Sequence, residues 1–322
     1  MTEQSRLTLS PAPHVRGKTS ISRDMYLVVL ALLLPAAGAV YFFGLYVLLM
    51  LGVGVISCVL TEVAAKALRR KSFHMDGSAV ITGLLLVLVL PPRSPLWVVV
   101  IGSVFAIGIA KEAFGGLGCN IFNPALAGRA FVSISFAGVL GRWILPTTSW
   151  LADAVTSATP LSEGFVTTMT KPELYRALFL GHVGGSAGET SALLILIGGA
   201  MLLAFGIIKW HIPVFYIATV FVLSWIMGQD PLFHILAGGL MLGAFFMATD
   251  YVTGPLTTRG RILFAVGAGV LVVLIRLIGS MPEGVAYSIL VMNAFTPLID
   301  RYTRPRPLGM PRKSARTRAG GE

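Results

Sequence analysis

The residues best suited to chemistry lie in one short run, Asp153-Ala-Val-Thr-Ser-Ala-Thr159-Pro-Leu161, which sets three hydroxyls and a carboxylate among small neighbours. Its hydroxyls belong to Thr156, Ser157 and Thr159, with the small Ala158 between the last two. The same letters also make an ordinary solvated turn. A second run, Gly181-His-Val-Gly-Gly-Ser-Ala-Gly-Glu-Thr-Ser191, precedes an apolar stretch. Glycines let the backbone close on a ligand, and amides at a helix start favour anionic groups. Gly185, Ser186, Glu189 and Thr190 are its candidate contacts, with a loop capped by Thr190 or Ser191 as the alternative. A third run, Gly115-Gly-Leu-Gly-Cys-Asn120-Ile-Phe-Asn123-Pro124, offers two carboxamides where the chain breaks before a proline. These serve a helix start or a ligand equally well.

Carboxylates at the ends of apolar stretches are the remaining candidates. Asp76 stands in His74-Met-Asp-Gly-Ser78 and Asp250 in Met247-Ala-Thr-Asp-Tyr-Val-Thr253, with Glu62, Lys111 and Glu112 close in the topology. Acids at membrane depth often mark ion paths, so Asp76, Asp250 and Glu112 are candidates for one, and helix caps are the simpler alternative. His74, His182, His211 and His234 have no metal-ligand spacing. Cys58 and Cys119 make neither a disulfide framework nor a cluster site.

The elements that must position these groups are membrane spans. Of 322 residues, 55% are hydrophobic and 12% charged, whereas a soluble domain has about 25% charged. Too few charges remain to cover a water-facing surface, so the expected fold is all-α and integral to a lipid bilayer. Ten apolar runs are long enough, or nearly so, to cross a hydrocarbon core: 25–43, 46–67, 78–91, 96–113, 124–140, 191–208, 212–228, 233–250, 262–279 and 284–299. Putting the N-terminus inside places Arg69, Arg70, Lys71, Lys111, Lys209, Arg259, Arg261 and the Arg301–Arg318 tail on the same side. The other side receives Arg93, Arg142, Lys171 and Arg176, diluted by Asp153, Glu163, Glu173, Glu189, Asp230 and Glu283. This is the positive-inside pattern. It accounts for the net charge of +11 without a nucleic-acid partner. The first 24 residues are polar and basic, with no signal-peptide pattern.

The organisation expected is a cytoplasmic segment 1–24, five spans in 25–140, one long external loop 141–190, five spans in 191–299 and a basic cytoplasmic tail 300–322. A loop of that length is usually functional or disordered. The punctuation after His74 (Pro91-Pro92, then Gly115-Gly116) is echoed after His234 by Gly238-Gly239, Pro255 and Gly279. Two five-span repeats of opposite orientation, enclosing a central site, would follow.

Taken together and in order, these segments resemble those of the NqrB/RnfD family. The run ending in Thr159 is similar to that family's flavinylation motif, Asp-x-x-Ser/Thr-Gly-Ala-Thr, with Ser157 where the family has Gly. Asn120, Asn123 and Pro124 fall in a Gly-Gly-x-Gly-x-Asn-x-Phe-Asn-Pro-Ala signature, and Gly-Glu-Thr-Ser-Ala recurs at Gly188. The short lead before the first span looks more like RnfD than NqrB. The resemblance implies FMN held on Thr159 as a phosphoester, placed by a flavin transferase. It also implies riboflavin among the spans, and a role as one electron relay in a multi-subunit Rnf complex of the bacterial inner membrane. Partners there include a second flavoprotein subunit and iron–sulfur subunits. The complex passes electrons between ferredoxin and NAD and couples them to Na⁺ or H⁺ movement; this subunit does not catalyse alone. The family's spans are similar in fold to urea-channel-type proteins, so a flavin-free transporter or channel is the rival reading. An assembly scaffold without flavin is a third.

Overall fold

The computed structural model describes residues 20–71, 75–141, 143–146, 156, 157, 161, 169–279 and 284–305. Helix α1 (Ile21–Phe43) begins at Ser20, whose hydroxyl accepts from the Arg23 amide at 3.2 Å. After one residue comes α2 (Leu45–Leu68), followed by α3 (Ser78–Leu88). Helix α4 (Leu96–Val104) runs straight into a π-helical stretch, Phe105–Glu112. Then come α5 (Pro124–Ser135), α6 (Ala137–Leu140), α7 (Lys171–Leu180), α8 (Ala192–Ala204) and α9 (His211–Ile226). A broken unit follows, made of α10 (Pro231–Leu236), α11 (Leu240–Leu242) and a second π-helical stretch, Gly243–Met247. The last helices are α12 (Thr258–Ile278) and α13 (Gly284–Thr303). The only strands among the described residues are β1 (Trp143–Ile144) and β2 (Thr156–Ser157), antiparallel, with Trp143 opposite Ser157 and Ile144 opposite Thr156.

Helices α1, α2 and α12 are long and apolar enough to cross a membrane, and α3, α8 and α9 are shorter apolar helices. The apolar runs of the sequence largely coincide with helix, but α1 starts at Ile21 and α12 at Thr258, each before its expected bound, α3 ends at Leu88 and α8 at Ala204, each short of it, and the fifth run is split at Phe136. Three further departures involve the segment 141–190, the last helix and the eighth run. The segment 141–190 carries α7, started by Thr170 and Glu173 in a reciprocal cap. The last helix continues past 299 to Thr303. The eighth run is not one helix but three pieces, because Gly238 and Gly239 take φ of 69° and 68°, a region that glycine alone enters freely.

The two halves pack in the same way. Helix α2 lies on α3 and α4, and α4 on α5; likewise α9 lies on the second π stretch and α12, and α12 on α13. Contacts of α1 with α8 and of α5 with α13 join the halves. The centre is filled by Leu32, Met50, Leu86, Leu126, Ile195, Leu202, Tyr216 and Phe264. Leu33, Leu48, Leu60, Ile134, Trp225 and Leu263 point outward. Helices apolar on both their inner and outer faces are those of a bundle bathed in lipid.

Candidate functional site

Thr159, Asp153 and Ala158 lie outside the described residues, as does His74, and Thr156 and Ser157 are described only through their backbone ladder. The firm point beside Thr159 is Leu161. With Leu174, Ala177, Phe233 and Leu236 it packs against a small buried cluster of Leu178, Val183 and Ala237. A Cβ on Gly238 would collide with Leu161 Cδ1 and sit 2.9 Å from Arg276 Nη2, so Leu161 occupies space that only a glycine leaves open. Arg276, on α12, donates to the carbonyls of His234 at 2.6 Å, Ala237 at 3.1 Å and Gly238 at 2.9 Å. The last carbonyls of a helix lack intrahelical donors, and a guanidinium fork can answer several at once. One arginine therefore closes the C-terminal end of α10.

The other end of α10 is tied to α7. Asp230 caps it by accepting from the Phe233 amide at 3.3 Å, and Tyr175 Oη donates to the same carboxylate. Burial opposes the charge on Asp230, but the bonds from Tyr175 and the Phe233 amide outweigh it and hold the carboxyl below its ordinary value. The same contact pushes the Tyr175 phenol up.

Beside Leu161 is a small cavity of about 20 Å³ whose walls include Gly185, Glu189, Thr190 and Gly238. Glu189 also lines an adjoining space with Arg129 and Gly239, and a Cβ on Gly239 would run into its carboxylate. Ser186 is fully buried. The amides of Ala187 and Gly188 donate to Leu90 O at 3.0 Å and Leu88 O at 2.7 Å, and Thr190 Oγ1 donates to Ser186 O at 3.2 Å. The glycine-rich run thus docks as backbone on the unwound end of α3. A Cβ on Gly188 would stand 2.7 Å from Leu88 Cβ, so this glycine serves close packing, while Gly185, Glu189 and Thr190 line the small cavity.

Asn120 and Asn123 are not part of that region. They line a central cavity of about 90 Å³ between the halves, with Ser78, Lys111 and Asp250 as further polar walls and Leu85, Phe245 and Phe246 among the apolar ones. Asn123 is first a helix cap, accepting from the amides of Ala125 at 3.1 Å and Leu126 at 3.3 Å. It also clasps the opposite half: its amide donates to Asn293 Oδ1 at 3.2 Å and its Nδ2 to Met247 O at 3.3 Å. Asn293 and Thr296 in turn donate to Thr253 O at 3.3 and 2.9 Å. Asn120 Nδ2 donates to Phe122 O at 3.1 Å. Asp250 closes a turn, accepting from the Val252 amide at 3.3 Å and Thr253 Oγ1 at 3.0 Å, which is the cap role weighed against the ion path.

Asp76 and Glu112 belong to a buried charged network at the edge of the central cavity. Lys111 Nζ lies 3.2 Å from Glu62 Oε1 and donates to Ser78 Oγ at 2.6 Å. Ser78 is in turn bonded to Asp76, and Lys66 reaches Glu62 at 2.6 Å. Glu112 is paired with Arg69, whose Nη1 also donates to Glu112 O at 2.7 Å. Glu62, Lys111 and Glu112 are each 2% exposed. Three acids and three bases thus balance one another, and Lys111 presents this network to the cavity. It lies in the first π-helical stretch, a geometry frequent at functional sites. Sequence reasoning missed Arg276 and Asn293 as organisers, although each is a polar residue inside an apolar run, the signal that would have found them.

Known proteins supply the context for this arrangement. The NQR2, RnfD, RnfE family matches residues 8–309. The chain is 48% identical to the D subunit of the proton-translocating ferredoxin:NAD(+) oxidoreductase complex of Clostridium ljungdahlii, covering 94% of this chain and 96% of that one. It is 46% identical to the D subunit of the Na(+)-translocating ferredoxin:NAD(+) oxidoreductase complex of Acetobacterium woodii, with the same coverage of each chain (94% and 96%). Against the D subunit of the ion-translocating oxidoreductase complex of Stutzerimonas stutzeri the identity is 41%, over 91% of this chain and 93% of that one. The chain belongs to the NQR2, RnfD, RnfE family.

Proposed function

We propose that this chain is the D subunit of an Rnf-type electron-transport complex, carrying FMN covalently on Thr159 and relaying electrons between ferredoxin and NAD. The observation that carries the reading is near-full-length similarity to the D subunits of two ferredoxin:NAD(+) oxidoreductase complexes, joined to an acceptor threonine in Asp153-Ala-Val-Thr-Ser-Ala-Thr159. Na⁺ or H⁺ movement is coupled to the electron transfer, and the named relatives include one of each kind. The ten apolar runs then cross the inner membrane as two five-span repeats of opposite orientation. Both termini are cytoplasmic and Thr159 is on the external side. The similar packing of the two halves supports this layout.

Attachment needs only the threonine hydroxyl and a transferase. Thr159 Oγ bonds the flavin-side phosphorus of FAD, the pyrophosphate bond breaks, AMP departs and the hydroxyl proton is released. When bound, FMN supplies one- and two-electron redox chemistry. The chain's own share is position: Gly185, Glu189 and Thr190 line the small cavity beside Leu161 and would flank the tether. The central cavity suits riboflavin, since Lys111, Asn120 and Asn123 offer hydrogen bonds on one side and Phe245 and Phe246 give apolar walls.

The test is in-gel flavin fluorescence of the denatured chain, co-expressed with its flavin transferase, beside Thr159→Ala. A fluorescent band lost in the variant supports the relay. A dark wild-type band despite active transferase would favour a flavin-free transporter or scaffold.

A further inference from the structure

On one flank of α9 the neighbouring elements are short. Helix α8 ends at Ala204 and α10 at Leu236, and Gly238 and Gly239 break the chain before the second π-helical stretch. These pieces leave a groove of about 420 Å³ along α9. Ile235 and Phe245, both buried, Trp210 and Phe221, both exposed, and Leu203 and Ala218 line it, and no polar atom does. From Trp210 to Phe221 the helix rises about 17 Å, close to the half-thickness of a hydrocarbon core, about 15 Å. The end of the groove at the start of α9 is basic. Lys209 is exposed and, among the described residues, in no salt bridge. The first turn of α9 has no side-chain cap, so its leading amides are open to an acceptor. Trp210, stacked on His211 at 4.2 Å, stands beside that charge as an interfacial tryptophan does.

We propose that this groove holds one acyl chain of an anionic phospholipid from the leaflet on the Lys209 side, with the phosphate at Lys209 and the first turn of α9. A groove one leaflet long, apolar throughout and basic at one end, matches a single lipid. A helix of a neighbouring subunit would run on past Phe221 and needs no anion at Lys209. Inside a bilayer, van der Waals fit holds the chain, because surrounding lipid is as apolar as the groove. The lysine then selects a negative headgroup. Phe245 also walls the central cavity, so the acyl chain backs one side of that cavity. The proposal rests on α9 crossing the bilayer and is independent of the flavin.

Phospholipid retention tests it. The full-length chain is reconstituted in vesicles of phosphatidylglycerol and phosphatidylcholine in equal amounts and taken into mild detergent, and the lipid still bound is read by native mass spectrometry. The expected result is one retained phosphatidylglycerol per chain, favoured severalfold over phosphatidylcholine. Lys209→Gln, a change at an exposed position, should abolish the preference, and Ala218→Phe, which fills the groove, should remove the lipid. Equal retention of both lipids by the unaltered chain, a preference that survives Lys209→Gln, or undiminished retention in Ala218→Phe would overturn the assignment. An unaltered chain that keeps no phospholipid would also overturn it and leave the groove to a helix of a neighbouring subunit. Whether α9 crosses is read separately. With Cys119→Ser removing the exposed thiol, Lys209→Cys and Gln229→Cys should take a membrane-impermeant maleimide from opposite sides of the native membrane. Labelling of both from one side would defeat the spanning reading by itself.

Discussion

Lys111 Nζ and Glu62 Oε1 stand 3.2 Å apart, both side chains 2% exposed, on two different helical segments of the first half. An ion pair so buried contributes little over an apolar pair of the same shape, but removing one partner strands the other charge. Lys111→Met leaves Glu62 with Lys66 alone and the buried network one positive charge short, and is therefore expected to lower stability by about 1 kcal/mol or more, seen as a lower melting temperature in detergent. The double variant with Glu62→Gln should recover part of that loss, because acids and bases in the network are again equal in number. Equal melting temperatures for wild type and Lys111→Met would show that the pair is not formed.

Asn123 joins a helix cap to a bridge between halves. Asn123→Ala removes the cap, at a cost of about 1 kcal/mol, and the side-chain bond to Met247 O. It also frees the turn whose backbone amide donates to Asn293 Oδ1. A double-mutant cycle with Asn293→Ala is expected to give a coupling energy above about 0.5 kcal/mol. Strict additivity would mean that the two asparagines act independently.

The contact between α7 and α10 should depend on pH at both extremes. The folded carboxyl of Asp230 lies below its ordinary value, so its contribution is complete above the unfolded value and is lost as pH falls through the folded one. The Tyr175 phenol is raised, so its contribution is complete below about pH 10 and is lost only as pH rises further. The melting-temperature difference between wild type and Asp230→Asn should accordingly be flat through neutral pH and vanish in strong acid. A difference that grows on acidification would contradict the assignment.

The two flavin sites proposed above should separate chemically. Ile81→Trp narrows the central cavity, whose wall includes Ile81. It is expected to abolish flavin that denaturation releases while leaving the covalent band intact. Releasable flavin retained at wild-type stoichiometry would place riboflavin elsewhere.

Much of the helical frame was legible because apolar run length is a local signal: the run at 46–67 became Leu45–Leu68, and Asn123-Pro124 reads directly as a capped helix start. The break inside the eighth run was written in Gly238-Gly239, but an apolar run of ordinary length conceals it. The roles of Arg276 and Asn293 were not legible, since their partners lie about 40 and 170 residues away and such contacts leave no spacing in the chain. Nor did composition separate Gly188, needed for close packing on Leu88, from Gly185, which faces a cavity. The division of the candidate residues between two regions, with Asn120 and Asn123 apart from Glu189, came only from the fold.

The central claim is a flavin bonded to one hydroxyl, and peptide mass spectrometry after proteolysis addresses it most directly. The account predicts that the peptide spanning Asp153 to Leu161, from chain made with active flavin transferase, carries the added mass of FMN less water, with fragment ions placing it on Thr159. The same peptide found wholly unmodified, or modified at Thr156 or Ser157 instead, would contradict it.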